Sequence, residues 1–360
     1  MTTPAAAWIA TNVAKMTARF NNRPSLFTPL PEPEAEYTPG QVTSRPALYE
    51  PEQLDRVTRC NLNRSLDFMM RLWTDTRWTE APMSIYRLGP AVVLGGTVIT
   101  PQARHRLRDD HVGFRRALKG SVRQPEIVLA NSLQGLKFFG HWLGDDCTAF
   151  EAFRDYPALW SVRRHAWSDM AYYEGAFRQD WQEQDVMQTD NLILLRDLGF
   201  GRRKTERYRT LRRRLREHVR DRQASGKIVF IRRGASAKKR EITNWDELRQ
   251  RLEDRGISIV TPEGDTASFV QNILDASLVI TVEGSQACHA IYALWEGGGL
   301  LVLQPPFQLH TAAQEWMRSL ELHCGMVIGR TEQDGFSIDP DEVLSMVDRL
   351  LALTENREAV

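Results

Sequence analysis

The stretch LVITVEGSQACHAIYALW, residues 278–295, decides how the second half of the chain is read. Its first five residues are β-branched or apolar, which is typical of a buried strand. Glu283, Gly284 and Ser285 follow at once, and a segment with helical spacing comes next. In parallel sheets ligands bind beyond the carboxyl ends of strands. The stretch therefore predicts a strand, a polar turn that faces a ligand, and a helix.

Apolar strands and amphipathic helices alternate around this stretch, which predicts a parallel sheet covered by helices on both faces. No GxGxxG motif follows any of these strands, so a nicotinamide-dependent enzyme loses support. The predicted strands are KIVFI (227–231), SIVT (258–261), LVITV (278–282) and LLVLQ (300–304), and the predicted helices span 244–256, 266–277 and 285–295.

The first half of the chain predicts a mixed α/β region behind an extended arm. Seven prolines between Pro24 and Pro51 are incompatible with long helices, so residues 1–55 are interpreted as that arm. AVVLGGTVIT (91–100) predicts a hairpin, and EIVLA (126–130) predicts a strand followed by a helix from Asn131 to about Phe153. RRKTERYRTLRRRLREHVRDR (202–222) predicts an amphipathic helix, and a domain boundary is placed after it.

Composition excludes several classes of function. The 47 basic and 46 acidic residues nearly cancel, so no nucleic-acid partner is expected. The helix at 202–222 carries a local basic excess that could contact nucleic acid or an anionic membrane surface, although a solvated surface helix is the simplest interpretation. No apolar run is long enough to span a membrane, and no secretory signal is found. Four scattered cysteines fit a cytoplasmic protein.

Three of the predicted strands run into polar residues that suit phosphate. KIVFI is followed by Arg232 and Arg233, SIVT by Glu263, and LVITV by Glu283 and Gly284. Arginine offers a fork of donors that matches phosphate oxygens, and glycine permits close approach of the backbone. Each feature also has a plain structural interpretation, as a solvated loop, a helix cap or an ion pair. Together they predict a diphosphate site.

A second group of polar residues lies on the predicted helix after Asn131. His141 and Asp145 are four positions apart and would be neighbours on one face, where either could act as a base. A surface ion pair is the alternative. Asp146 points to the apolar side of a regular helix, so it is either a buried, paired carboxylate or follows a helix that ends at Gly144. The face of His141 is also predicted to carry Gln134, Lys137, Gly144 and Thr148.

These segments together resemble glycosyltransferase family 61. FFGHWLGD (138–145) resembles the family's histidine–aromatic–Leu–x–Asp signature. VFIRRGASAKKREITNWDEL (229–248) is similar to its strand–Arg segment, with a second Arg and an Asn downstream. VTPEGDTASFVQNILDASLVIT (260–281) resembles the stretch that carries a Pro-Glu and a Gln. EGSQACHAIYAL (283–294) takes the place of a His-Gly-Ala-x-x-x-Asn segment, with Glu283 and His289 as departures.

The resemblance implies an α/β protein of GT-B type, with two Rossmann-like domains facing across a cleft. It implies residues 56–222 as the acceptor-side domain and 223–360 as the nucleotide-sugar-binding domain. It further implies an inverting transfer, without an obligatory metal or other cofactor, from a nucleotide sugar to a glycan or lipid-linked acceptor in bacterial surface polysaccharide synthesis, with possible peripheral membrane contact. An inactive family member serving as a binding or scaffold protein is the alternative.

The residue patterns and the resemblance together predict roles for individual residues. The candidate bases are, in order, Asp145, His141 and Glu283. The residues expected to bind the nucleotide sugar are Arg232, Arg233, Arg240, Asn244, Glu263, Gln271, Gly284, Ser285 and His289.

Overall fold

The protein is described by a computed structural model that covers residues 3–20, 28–37, 40–106, 113–119, 121–132, 134–156, 159–197, 199–220, 226–233, 240–262 and 264–355. Among the predicted site residues, Glu263 lies outside the described residues.

The described helices are α1 (Pro4–Phe20), α2 (Leu66–Thr74), α3 (Phe114–Lys119), α4 (Phe139–His141), α5 (Cys147–Ala152), α6 (Met170–Phe177), α7 (Arg202–His218), α8 (Trp245–Asp254), α9 (Thr266–Ile273), α10 (His289–Ala293), α11 (Ala313–Ser319) and α12 (Pro340–Glu355). A π-helical turn at Trp142–Asp146 joins α4 to α5, and 3-10 turns lie at Pro51–Arg56, Asn61–Asn63 and Ser285–Cys288.

The described strands are β1 (Ala35–Tyr37), β2 (Gln41–Thr43), β3 (Arg77–Thr79), β4 (Met83–Leu94), β5 (Thr97–Ile99), β6 (Arg104–Arg106), β7 (Ser121–Leu129), β8 (Leu159–Ser161), β9 (Gln182–Glu183), β10 (Val186–Asp197), β11 (Ile228–Ile231), β12 (Ser258–Val260), β13 (Ala276–Val282), β14 (Leu294–Gln304), β15 (His323–Ile328), β16 (Arg330–Glu332) and β17 (Gly335–Ser337).

The chain divides into two compact units, each assembled from separate segments. Unit 1 comprises residues 1–39, 81–167 and 179–199, and unit 2 comprises 40–80, 168–178 and 200–360. The predicted limits at 55 and 222 differ from this division. The arm predicted as extended at 1–55 contains α1, because its prolines begin only at Pro24, apart from Pro4 at the first helical position, where proline is tolerated.

Helix α7 belongs to unit 2 because two of its arginines bind there. Arg212 donates to the carbonyl oxygens of Ile291 and Leu294, and Arg216 donates to those of Tyr292 and Leu294. The predicted apolar stripe is confirmed, since Tyr208, Leu211, Leu215 and Val219 are buried. The expectation of a mainly solvated basic face is wrong for Arg212, whose side chain is 3% exposed.

Unit 1 is built on a mixed sheet in the order β6-β5-β4-β10-β7-β8-β9, with β1 on β4. Strand β10 pairs antiparallel with β4 and parallel with β7. The predicted hairpin is confirmed, because β4 and β5 pair from Leu94 with Thr97 across Gly95–Gly96. The predicted helix after β7 begins only at Phe139, since the side chains of Asn131 and Ser132 bind backbone groups nearby and hold a loop.

Unit 2 contains a parallel sheet in the order β12-β11-β13-β14-β15. Every residue of β13 is buried, so both faces of the sheet are covered at its centre. On one face Leu278 and Ile280 pack with Leu248 of α8 and Val343 of α12. The predicted parallel sheet with alternating helices is confirmed.

The α/β class is therefore confirmed in both units. The sheet of unit 1 is mixed rather than parallel, and the GT-B arrangement of two Rossmann-like domains stays a prediction. The described residues include no helix that is both long and apolar enough to cross a membrane.

Candidate functional site

The strand order of unit 2 reverses between β11 and β13. Strand β11 pairs with β12 on one side and with β13 on the other, so the chain moves outward in both directions from that gap. In open parallel sheets the connections diverge at such a switch point and leave a crevice beyond the carboxyl ends of the two strands. Arg232 and Arg233 follow β11, and Glu283 and Gly284 follow β13, so both predicted groups lie at this edge.

Arg233 and Arg240 converge on the turn after β13. Nη1 of Arg233 donates to the carbonyl oxygen of Glu283 at 2.7 Å and to Oε1 of Gln286 at 3.2 Å. Arg240 binds both the carbonyl oxygen and the carboxylate of Glu283. Burial and the neighbouring Arg240 lower the pKa of Arg233 to about 10, which leaves it charged at neutral pH. We call Arg233, Arg240, Glu283, Gly284 and Gln286 the switch-point cluster.

Gly284 is required by the shape of this turn. Its φ of 152° favours glycine, and a Cβ atom there would clash with the guanidinium of Arg233 and with Oε1 of Gln286. Gln286 in turn donates from Nε2 to the carbonyl oxygen of Val282 at 2.7 Å. The predicted helix at 285–295 begins as the 3-10 turn Ser285–Cys288 and ends at Ala293, where Leu294 starts β14.

The other predicted residues after β11 have separate contacts. The guanidinium of Arg232 lies 4.8 Å from the ring centre of Trp245, at the start of α8. Nδ2 of Asn244 donates to the carbonyl oxygen of Ile338 at 2.7 Å, and its Oδ1 accepts from the backbone N–H of Ile338 at 3.0 Å. These two bonds hold the start of α8. The assigned contact of Asn244 with a ligand stays a prediction.

Gln271 lies in α9, and its backbone carbonyl oxygen accepts a hydrogen bond from Nζ of Lys227 at 3.0 Å. Asp265 caps the same helix, since its carboxylate accepts hydrogen bonds from the backbone of Ala267 and Ser268. Ser285 is the first residue of the 3-10 turn Ser285–Cys288 and is half-buried.

His289 is enclosed in the core of unit 2 and is 1% exposed. Its Nδ1 lies 2.7 Å from the hydroxyl oxygen of Tyr173, and its Nε2 lies 3.8 Å from Oδ2 of Asp169. Burial lowers the pKa of His289 to about 3, so the ring is neutral. This placement indicates a packing and hydrogen-bonding role, and direct contact with a nucleotide sugar stays a prediction.

Sequence reasoning missed His310, which contacts the switch-point cluster. Nδ1 of His310 lies 3.0 Å from Oε1 of Glu283. His310 follows β14, whose carboxyl end lies at the same sheet edge because β14 is parallel to β13. The rule that polar residues after parallel strands meet at one edge would have found it.

In unit 1 the predicted pair of His141 and Asp145 is confirmed as a contact. Nδ1 of His141 lies 2.7 Å from Oδ2 of Asp145, and the two side chains are 35% and 17% exposed. A carboxylate bonded to one ring nitrogen fixes the orientation of an imidazole. The pair is thus an oriented and partly exposed His–Asp contact.

The π-helical turn directs Asp146 into the core, as one of the two predicted alternatives requires. Asp146 is 1% exposed, and its Oδ1 accepts a hydrogen bond from the backbone of Ser132 at 2.9 Å. Burial raises the pKa of Asp146 to about 7. A Cβ atom at Gly135 would clash with this carboxylate, so the loop after β7 can approach it only with glycine there.

The same turn overturns part of the predicted helical face. Gly144 and Thr148 are buried, whereas His141, on the same predicted face, is partly exposed. A π turn adds a residue to one turn of helix and therefore rotates the residues that follow it.

Across the described ranges, no three His, Cys, Asp or Glu side chains are grouped so that they could hold a metal ion. Independence from a metal stays a prediction.

Residues 139–297 match the family model described as Glycosyltransferase 61. The matched stretch contains the His141–Asp145 pair in unit 1 and the switch-point cluster in unit 2. A search of curated proteins found no match to the chain.

Proposed function

We propose, from the match of residues 139–297 to glycosyltransferase family 61, that this chain is a glycosyltransferase that moves a sugar from a nucleotide-sugar donor to a hydroxyl group. The family implies a nucleotide-sugar donor and an acceptor in general terms. One observation carries the residue-level proposal: Arg233 and Arg240 meet the turn after β13 at the topological switch point of the parallel sheet. We assign the diphosphate of the donor to this place.

The electrostatics of the switch-point cluster support an anionic ligand. Arg232, Arg233 and Arg240 bring three positive charges to this sheet edge, and Glu283 and Glu241 bring two negative charges. The net charge is positive, which favours the two negative charges of a diphosphate that joins a nucleoside to a sugar. Arginine donors fixed by the fold can stabilise the charge that develops on a departing diphosphate.

For the base that removes the acceptor's proton, we propose Asp145 first, His141 second and Glu283 third. Asp145 and His141 are hydrogen-bonded and partly exposed, whereas Glu283 is already bound by Arg240 and His310. Inversion at the anomeric carbon, a glycan or lipid-linked acceptor, metal independence, a cytoplasmic location and a role in bacterial surface polysaccharide synthesis belong to the same proposal. A GT-B arrangement does so as well.

A panel of nucleotide sugars screened by melting temperature tests the donor part of this proposal. A ligand that binds only the folded chain stabilises it by about 2.7 kcal/mol at a hundredfold excess over Kd. We expect one class of nucleotide sugar to raise Tm in the wild type and to lose that effect in Arg233→Gln. A matched control is Arg249→Gln, on the exposed side of α8. No shift with any nucleotide sugar would contradict the proposal.

The second candidate is a family member without activity that binds a ligand or partner. The observation that favours it is the ion pair between Arg240 and Glu283, because a protein carboxylate already contacts an arginine that we assign to the donor. Cleavage of a bound nucleotide sugar, followed by release of the nucleoside diphosphate, separates the two candidates. Binding without any turnover in the presence of varied acceptors would favour the second.

A further inference from the structure

His310 is held in one orientation by contacts to its backbone and its ring. Gln304, at the end of β14, is fully buried, and its amide donates to the carbonyl oxygen of His310 at 2.7 Å. The same amide accepts a hydrogen bond from the backbone of His310 at 3.2 Å. Leu309, the preceding residue, exchanges backbone hydrogen bonds with Arg59 and Asn61.

The ring of His310 is oriented by Glu283. A carboxylate oxygen is an acceptor, so the 3.0 Å contact with Glu283 makes Nδ1 of His310 the donor. Nε2 is then the ring nitrogen available to a ligand, and the side chain is 25% exposed. When the ring is protonated, Nε2 carries a hydrogen and a positive charge, which suits an anionic oxygen.

We propose that His310, which contacts the switch-point cluster, is a phosphate-binding residue that donates from Nε2 to an oxygen of the donor's diphosphate. Glu283 is then a positioning residue, since its carboxylate orients His310 on one side and Arg240 on the other. This inference deepens the proposed function and rests on it. These two contacts give the Glu283 side chain a structural role at a phosphate site, where repulsion between carboxylate and phosphate would otherwise disfavour it.

The charged groups that meet at the contact between His310 and Glu283 come from two parts of unit 2. Glu283 lies at the end of β13, and Arg233 and Arg240, which bind its turn, lie between β11 and α8. Arg59 lies on a neighbouring segment, whose backbone pairs with Leu309. Histidine is the side-chain type whose charge ordinarily changes between pH 5 and 8, so a pH-dependent change in anion affinity that disappears when residue 310 is replaced is assigned to its imidazole.

The test measures inorganic pyrophosphate binding by calorimetry from pH 5.5 to 8.5, in the wild type and in His310→Gln. The titration of pyrophosphate itself is common to both proteins and cancels in the ratio of their Kd values. We expect the variant to bind about tenfold more weakly at pH 5.5, as the loss of a charge-assisted hydrogen bond implies, and equally at pH 8.5. A ratio that is constant with pH would overturn the inference.

Two further variants complete the design. His218→Gln changes an exposed histidine of α7 in the same unit and should leave the ratio at one throughout. Arg233→Gln should weaken pyrophosphate binding at every pH, because its charge is constant over this range. Failure of the wild type to bind pyrophosphate, or a His218→Gln ratio equal to that of His310→Gln, would also overturn the inference.

The two proposals fail in distinguishable ways. If the ratio depends on pH as expected but no nucleotide sugar is cleaved with any acceptor, His310 stands as an anion contact and the transferase proposal fails. If sugar transfer proceeds and the ratio stays flat, the assignment of His310 fails alone.

Discussion

The hydrogen bond between His141 and Asp145 leads to a prediction for the turnover of sugar transfer. We expect Asp145→Asn to lower the turnover of sugar transfer by two to four orders of magnitude, about what a positioned base contributes. Binding of the nucleotide sugar should be unchanged, because the amide keeps the size of the carboxylate. Steady-state transfer and the ligand-induced rise in Tm measure the two effects.

The control for this variant is Asp190→Asn in the same unit. Asp190 is about half exposed and lies 3.6 Å from Arg123, so its loss should affect neither turnover nor binding. Wild-type turnover in Asp145→Asn would remove Asp145 from the list of bases and leave His141 as the next candidate.

Asp146 predicts a pH-dependent component of stability. Its folded-state pKa, about 7, lies above the value near 3.9 expected in the unfolded chain. The folded state therefore holds the proton more tightly, and the stability that this gives at low pH is lost as pH rises through the folded pKa. Between pH 5 and pH 8 the free energy of unfolding should fall by about 2.5 kcal/mol on this account.

Asp146→Asn cannot titrate at this position and keeps the side-chain volume. Urea unfolding of both proteins at several pH values should show the wild type losing stability relative to the variant as pH rises. Parallel curves would mean that Asp146 keeps the same charge in the folded and unfolded chains over this range.

Helix α7 is held to the end of α10 by the guanidinium groups of Arg212 and Arg216. Replacement of Arg212 by Met keeps most of the buried side-chain volume but leaves the carbonyl oxygens of Ile291 and Leu294 without this donor. Hydrogen bonds to charged groups contribute about 1.5 to 3 kcal/mol each. We expect Arg212→Met to lower the free energy of unfolding by about 3 kcal/mol.

Arg213→Met is the matched control on the same helix. The side chain of Arg213 is 67% exposed and lies 3.7 Å from Glu217, a geometry in which ion pairs contribute little. Chemical unfolding of both variants should separate them clearly. Equal losses would indicate that α7 contributes by charge alone rather than by these specific hydrogen bonds.

Elements were predicted far better from the sequence than side-chain environments were. Four of the five strands in the parallel sheet of unit 2 have apolar, β-branched runs bounded by polar residues, and period and length identify them. The fifth strand, β15, is not among the predicted ones. The helix around His141 was placed, but its π turn was not, because a single inserted residue leaves no clear mark in an apolar pattern. The predicted face is therefore wrong for Thr148, which follows the turn, while the i, i+4 contact of His141 with Asp145 is confirmed.

The site depends on contacts between residues that are distant in the chain. Arg240 contacts Glu283, and His310 contacts it from the loop after β14, through a sheet order that local patterns do not encode. His289 shows the reverse, since its neighbourhood in sequence suggested a ligand contact while the fold encloses it. Strand-end position predicts the edge where a residue lies, but the direction of its side chain depends on tertiary packing.

A donor bound at the switch point of unit 2 should protect the backbone amides there from hydrogen exchange. Hydrogen exchange should slow most in peptides that cover 228–233 and 282–293 when the nucleotide sugar with the largest effect on Tm is bound. Amides of β2 and β3, which belong to the same unit but lie outside the switch-point cluster, serve as the internal control. Equal protection of both regions would contradict a donor site at the switch point.

Unit 2 is assembled from segments that are far apart in the chain and are therefore translated at different times. Trp73 and the segment around Leu48 belong to unit 2, yet Leu48 pairs with Gly325, which the ribosome makes near the end of translation. Apolar side chains from 40–80 therefore emerge long before the strands that bury them, and chaperones would find their binding sites there. A shortened gene that starts at residue 223 would also lack α7 and its arginines, so residues 223–360 alone would not reproduce unit 2.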